Sequence, residues 1–299
     1  MVIMEKPFVQ QSMFRPPRSI AIAIASRNRQ DDIVACIRSI LARPSAPDEI
    51  IVIDQSTPRY VLPNLPNLRH VYAPHLSGLT AARNRAIAEA TSDVVLFLDD
   101  DVLLLTDCVA ELLNAFSRRP DAAGLQCQVE MPYTPSRISR LMAAVFEHGF
   151  FNASPVLKPT GVQLRRVWGC AMAFRKDVLR AEAFDEHLVG YGLGEDWEYS
   201  IRARRHGMLW LAPGAKVAHN KTALNRFQFN RMLRDRWTNF QYFYEKHEAR
   251  RSPMNRFWRA WWMLGESLKW SRVNMGFPAL GWLPESTAVV EAPWRVGGG

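Results

Sequence analysis

The sequence lacks paired cysteines: Cys36, Cys108, Cys127 and Cys170 stand far apart, with no C-x-x-C among them. A zinc ribbon or a dithiol redox motif needs such pairing, so neither is expected, and the four read as reduced core residues. Long apolar runs are also missing. Val94–Leu105 is broken by three aspartates and Phe257–Trp270 by Arg259, Glu266 and Lys269. Neither reaches the roughly 20 apolar residues that cross a bilayer. Residues 1–17 carry Glu5, Lys6, Gln10, Gln11 and Arg15 where a secretory leader has an uninterrupted apolar stretch, so a cytoplasmic location is expected. There is no internal repeat and no low-complexity block.

What is present is ordinary globular composition, 48% hydrophobic and 22% charged over 299 residues, enough for one large core or two modest ones. The net charge of +9 is lopsided. Residues 220–299 hold 13 Lys and Arg against 6 Asp and Glu, a net +7, which leaves +2 for the rest.

Apolar strands and helical patterns alternate along the first half. Ser19–Ala25 alternates isoleucine with small residues and ends at the turn Ser26-Arg27-Asn28-Arg29, after which Asp31 or Asp32 is expected to cap a helix through Leu41. Glu49–Ile53 is a β-branched run stopped by Asp54, and Leu68–Tyr72 a third short strand. Gly78–Ala90 has Leu79, Ala82, Ala86 and Ala90 at helical spacing, and Asp93–Leu98 follows as a continuous apolar strand. Further on, strands are expected over Gly124–Met131 and Val167–Phe174, and helices over Ile138–Phe146, Asp177–Ala183 and Asp196–His206. This order predicts an α/β fold, a mostly parallel sheet covered by helices, with ligands bound beyond the carboxyl ends of the strands.

Asp99-Asp100-Asp101 stands directly after Val-Val-Leu-Phe-Leu. Three adjacent carboxylates at a strand end raise one another's pKa, and a divalent cation relieves that cost. Oxygen ligands favour Mg²⁺ or Mn²⁺, completed by substrate phosphates; a solvated capping turn is the plainer alternative. Glu195-Asp196 follows the glycine-rich Gly190–Gly194 segment at a helix start, where simple capping competes with a ligand-facing role. His219 is a further candidate ligand to the same metal. Trp168, Gly169 and Tyr191 suit an acceptor surface, an aromatic face for a sugar ring and a glycine for close approach, with a core position the competing reading for Trp168.

Several segments then agree in order: Ile22–Arg29, Val52-Ile53-Asp54, Gly78–Asn84, Phe97–Asp101, and Gly194-Glu195-Asp196 through Arg202. Over roughly residues 19–245 the chain resembles family 2 glycosyltransferases, inverting enzymes of GT-A fold that use nucleotide-sugar donors. The resemblance implies that Ser26, Arg27, Asp54, Arg83, Asp99 and Asp100 bind the nucleotide-sugar, with Asp54 on the base, Arg83 positioning the nucleotide, and Asp99 or Asp100 on the ribose. It implies that Asp101, with His219, binds the metal, that Asp196 is the catalytic base, and that Glu195 lies on the acceptor side. Where the family often has Asp-Asp-Gly-Ser, this chain has Asp54-Gln55-Ser56-Thr57, so base recognition is expected to differ.

The implied organisation is an extension over 1–18, a catalytic domain over 19–222 (nucleotide-binding half 19–105, acceptor-binding half 106–222), a basic aromatic helical region over 223–275 and a tail over 276–299. In 226–272, arginines interleave with Trp237, Trp258, Trp261, Trp262 and Trp270. The acceptor is expected to be a glycan or lipid-linked glycan, and that mixture suits an anionic membrane surface, which would fit the lipid-linked form; packing on the catalytic domain is the alternative. Rival functions are a nucleic-acid-binding protein, which leaves the acidic triplet unexplained, an inactive GT-A scaffold, a retaining transferase, and a nucleotidyltransferase, whose glycine-rich phosphate loop is not what Ser26–Arg29 provides. No nucleic-acid partner is expected.

Overall fold

The computed structural model describes residues 13–130, 141, 145–146, 156–158, 161–220, 226–247, 257, 259–265 and 267–268. In chain order these form β1 (Ile20–Ser26), α1 (Gln30–Leu41), β2 (Glu49–Asp54), β3 (Leu68–Tyr72), α2 (Leu79–Glu89), β4 (Val94–Asp99), β5 (Val102–Leu104), α3 (Cys108–Arg118) and β6 (Ala122–Glu130). There follow β7 (Val156–Lys158), β8 (Gly161–Leu164), β9 (Ala171–Arg175), α4 (Lys176–Ala181), α5 (Glu195–Ala203), β10 (Met208–His219) and α6 (Arg226–His247). The expected helix over Ile138–Phe146, the tail, Met131 and most of the N-terminal extension lie largely or wholly outside the described residues.

The side-chain alternation of β1 explains how the sheet is covered. Ile20, Ile22 and Ile24 face one layer, with Ile33, Cys36, Ile37 and Ile40 of α1 and Leu112 and Phe116 of α3. Ala21 and Ala23 face the other, where Ala82 and Ala86 bring α2 close and α4 and α5 add Val178, Leu179, Tyr199 and Ala203. Each such aliphatic side chain, fully withdrawn from water, contributes about 1.5–3 kcal/mol.

All ten strands join one sheet, in the order β3-β2-β1-β4-β9-β6-β10-β8-β7, with β5 pairing β10. The parallel expectation holds for β3-β2-β1-β4. Beyond β4 the sheet is mixed, because β9 runs antiparallel to both β4 and β6, while β6 and β10 are parallel. One sheet thus runs through the described residues from β1 to β10.

Several local expectations need correction. Asp31 and Asp32 do not cap α1; Arg29 occupies the cap position without a side-chain bond, and the two aspartates sit in the first turn, where they complement the helix dipole. Val167–Cys170 is not strand, because its backbone is used elsewhere: Trp168 N–H donates to Gln126 Oε1, and Gly169 bonds Arg83 and Asp196. In place of an open helix end, Lys176 donates to Ile87 O and Ala90 O at the end of α2, and Arg175 to Phe116 O and Arg119 O at the end of α3. Such donors satisfy carbonyls that a helix C-terminus leaves unpaired.

Among the described residues of the basic aromatic region, several are docked on the rest of the chain. Phe240 and Phe243 of α6 and Trp262 pack with Trp197 of α5. Beside them, Glu198 of α5 is wholly buried and bonds Arg202 Nη2 (2.5 Å), Lys246 Nζ (2.8 Å) and His247 Nε2 (3.0 Å). Asp185 accepts from Tyr242 Oη (2.7 Å) and Lys246 Nζ (2.5 Å). Arg259 lies over the Tyr244 ring, 4.7 Å from its centre. Phe257, Leu264 and Leu268 remain exposed. The apolar spacing of Phe229, Leu233, Trp237, Phe240 and Tyr244 predicts one helical stripe, of which Phe229 and Leu233 fall where side chains are not described. Among the described residues no helix is long and apolar enough to cross a membrane.

Candidate active site

The carboxyl ends of β1, β2 and β4 lie side by side, Ser26 in register with Asp54 and Ala25 with Asp99. After β4 the chain turns through Asp100 and Asp101 into β5, which runs antiparallel to the end of β10 and sets Val102 opposite His219. One backbone ladder thus brings His219 to the triplet.

Ligand-type atoms of Asp99, Asp101 and His219 lie within 4.8 Å of one another. His219 Nε2 is 3.1 Å from Asp101 Oδ1 and 3.9 Å from Asp99 Oδ2. Asp100 turns the other way, accepting from Ser26 Oγ at 2.7 Å and Arg29 Nη1 at 2.9 Å. Burial pushes its carboxyl up to about 6 against the pull of Ser26 and Arg29. Asp99 is likewise pushed up, first by burial and then by Asp101, with Arg83 and His219 opposing. Arg29 also reaches Asp101 at 3.4 Å. Sequence reasoning gave Arg29 no role, although its charge opposite the triplet was the available signal.

Behind the triplet, Arg83 is 3% exposed. It donates to Glu195 Oε1 at 2.5 Å and Gly169 O at 2.9 Å, and stands 3.6 Å from Asp99. Glu195 is therefore turned inward onto Arg83, and burial followed by Asp196 raises its carboxyl to about 7 against that guanidinium. A side chain at Gly169 would not fit, since a Cβ there would stand 2.5 Å from Glu195 Oε1 and 3.0 Å from Arg83 Nη2. Asp196, the next residue, is half-buried; its Oδ2 accepts from Gly169 N–H at 3.1 Å and its Oδ1 from Trp197 N–H at 2.8 Å.

Asp54, at the end of β2, is held by its own neighbours. Its carboxylate is fully buried, with Oδ1 accepting from Ser56 N–H and Oδ2 from Tyr60 N–H and His70 Nε2, each at 2.9 Å. Both oxygens are committed to the loop after β2. The hydroxyl of Tyr60 bonds Ser26 Oγ and Arg29 N–H, so this loop links Asp54 to the two residues that bond Asp100. Arg27 is exposed at the end of β1.

Trp168 is 46% exposed and Tyr191 57% exposed. Burial, then the nearby charges of Asp99 and Asp100, push the Tyr191 phenol well above its ordinary range.

A family model described as Glycosyl transferase family 2 matches residues 21–181. The chain belongs to glycosyl transferase family 2. Glu195, Asp196 and His219 of this family 2 chain lie beyond the matched span. The succinoglycan biosynthesis protein ExoU of Rhizobium meliloti (strain 1021) is 26% identical over 212 residues, 64% of this chain and 58% of that protein; the chain thus spans less than two thirds of its relative. Among solved structures, S. aureus TarS 1-349 superposes with a TM-score of 0.55 at 15% identity, covering 86% of this chain and 74% of that one. GalNAc-T7 with UDP, GalNAc and Mn²⁺ gives 0.53 at 14% identity, covering 88% and 58%. Both share the fold of this family 2 chain.

Proposed function

We propose that the protein is an inverting glycosyltransferase that moves a sugar from a nucleoside-diphosphate sugar to the hydroxyl of a glycan or lipid-linked glycan, in bacterial surface polysaccharide or glycolipid synthesis. The observation that carries this reading is the gathering of Asp99, Asp101 and His219 at the carboxyl end of β4, with Asp196 joined to Asp99 through Gly169 and Arg83. Family membership and the name of the succinoglycan relative support it.

The donor set of two carboxylates and an imidazole fits Mg²⁺ or Mn²⁺, and the raised carboxyls of Asp99 and Asp100 mark a site with surplus negative charge. Asp99, Asp101 and His219 would hold the ion, which when bound offsets charge on the leaving diphosphate. Asp196 takes the proton of the acceptor hydroxyl as its oxygen bonds the anomeric carbon and the bond to the diphosphate breaks on the opposite face. Gly169 N–H and Trp197 N–H fix the orientation of that carboxylate. Arg83 and Glu195 form the buried floor that keeps Gly169 and Asp99 in place. Arg29 and Ser26 hold Asp100 toward the nucleotide side.

The domain boundaries at 18, 105, 222 and 275 belong to the same reading. A peripheral position on an anionic inner membrane surface accords with the exposed Phe257, Leu264 and Leu268 beside a sequence rich in arginine. Titration of UDP, GDP and dTDP into the protein by calorimetry tests the donor site, with Mn²⁺ or Mg²⁺ and again with EDTA. Metal-dependent binding of one nucleotide, lost in Asp101→Ala, is expected. Binding of none, with tight salt-sensitive binding of single-stranded nucleic acid, would overturn the reading.

A further inference from the structure

Between Leu188 and α5 the chain runs through a loop with three glycines in the left-handed region, Gly190, Gly192 and Gly194, at φ of 65°, 74° and 96°. Such a segment is costly to order, since glycine loses the most backbone freedom of any residue. The loop has few bonds of its own, Gly192 N–H to Val189 O at 3.2 Å and Glu195 N–H to Gly192 O at 2.9 Å. It nevertheless carries Tyr191 to the triplet and delivers Glu195 and Asp196 at the start of α5.

The order comes from outside the loop. Asn239 of α6 is 2% exposed. Its Oδ1 accepts from Val189 N–H at 2.7 Å, and its Nδ2 donates to Val189 O at 3.1 Å and Leu193 O at 3.2 Å. One carboxamide thus joins both ends of the loop, using an acceptor and two donors that only Asn or Gln supplies together. One helical turn away the Asp235 carboxylate occupies the space a Cβ on Gly190 would take. The next residue, Phe240, places its ring 3.4 Å from where a Cβ on Gly194 would stand. Helix α6 therefore reads the glycine loop at residues 235, 239 and 240, all beyond the span matched by the family.

We infer that Asn239 is a positioning residue for transfer, holding the Val189–Leu193 loop so that Tyr191 and Asp196 face the acidic triplet, and that α6 is a working part of the active site. This rests on the reading of Asp196 and Tyr191 as active-site groups. The hydrogen bonds of Asn239 run to Val189 and Leu193 and to none of the residues assigned to the nucleotide or the ion, so its loss is expected to act on turnover more than on nucleotide affinity.

The test compares the full chain with Asn239→Ala and Gly190→Ala, the second driving a Cβ into Asp235 while leaving Asn239 intact. Amide hydrogen exchange over residues 189–195 is read beside UDP–Mn²⁺ affinity and the release of UDP from UDP-glucose, UDP-galactose and UDP-GlcNAc. Both variants are expected to lose protection in the loop alone and to keep UDP–Mn²⁺ affinity. Turnover should fall about 100-fold, the scale on which small misplacements of reacting groups act. Loop protection and turnover like those of the parent chain would overturn the proposal. So would loss of protection spreading through β1 and β4 in both variants, which would make Asn239 a residue of the fold and not of the loop. If the parent chain turns over no donor, the transfer reading fails, and the exchange comparison still decides whether Asn239 holds the loop.

Discussion

Replacing Glu198 with glutamine removes one negative charge from the seam between α5 and α6 while leaving its volume almost unchanged. In the parent protein burial alone would raise the Glu198 carboxyl, but hydrogen bonds from His247, Arg202 and Lys246 bring it down to about 2 from an ordinary 4.5. At about 1.4 kcal/mol per pKa unit that difference is worth about 3 kcal/mol. Breaking a buried ion pair by removing one partner costs roughly 3–5 kcal/mol, and the lower end applies here because Lys246 is partly exposed and regains water. At about 2–4 °C per kcal/mol, the melting temperature of Glu198→Gln at pH 7 should be lower by roughly 6–12 °C. The sign with pH follows from the depressed value. The stabilisation is complete above pH 4.5 and lost as pH falls toward 2, so the gap between the two proteins should close across that window. Thermal melts of both proteins from pH 7 to pH 2.5 measure it. A gap at pH 7 no larger than the 1 kcal/mol or so of a surface ion pair, or one that stays constant as the pH falls, would refute the argument that α6 is held by this charge.

Two further outcomes are expected. Asp196→Asn should retain nucleotide binding and lose about 10²- to 10⁴-fold in turnover, the usual contribution of a general base; steady-state rates beside UDP calorimetry check it, and near-normal turnover would exclude the assignment. Flotation with vesicles should show the parent chain rising with phosphatidylglycerol-containing vesicles and remaining below with phosphatidylcholine alone, with Leu264→Glu reducing the bound fraction several-fold; equal behaviour on both lipids would count against an anionic surface.

The strands of the parallel half were legible because their signal is local: β-branched runs that end in a polar turn. Leu68–Tyr72 is found as read, and the others differ by a residue or two at their ends. The acidic triplet was legible for the same reason. What escaped depends on partners far away in sequence. Nothing near Asp54 announces that Tyr60 and His70 will fold back on it, and nothing near Trp168 says that its backbone will bond Gln126 in place of a strand neighbour. Asn239 is unremarkable within its own helix, since its meaning lies in the carbonyls of Val189 and Leu193. The arginines and tryptophans after residue 226 had two equivalent fates by composition, and only the complementary charges of Glu198 and Asp185 on the neighbouring elements distinguish docking for α6.

The ladder between β5 and β10 has a consequence for how the protein is made. Asp101 and His219 are 118 positions apart, yet the pairing of Val102 with His219 makes them neighbours. A ribosome adding about 5–20 residues per second needs roughly 6–24 s to travel from one to the other. Until β10 is made, β5 lacks its partner, as does β6 once it has been added, and the triplet emerges without the imidazole of His219. The nascent chain thus has the strands β1–β4 first and the corner of Asp99, Asp101 and His219 late, which makes the span between them the interval when an open sheet edge is exposed to chaperones or to a neighbouring chain.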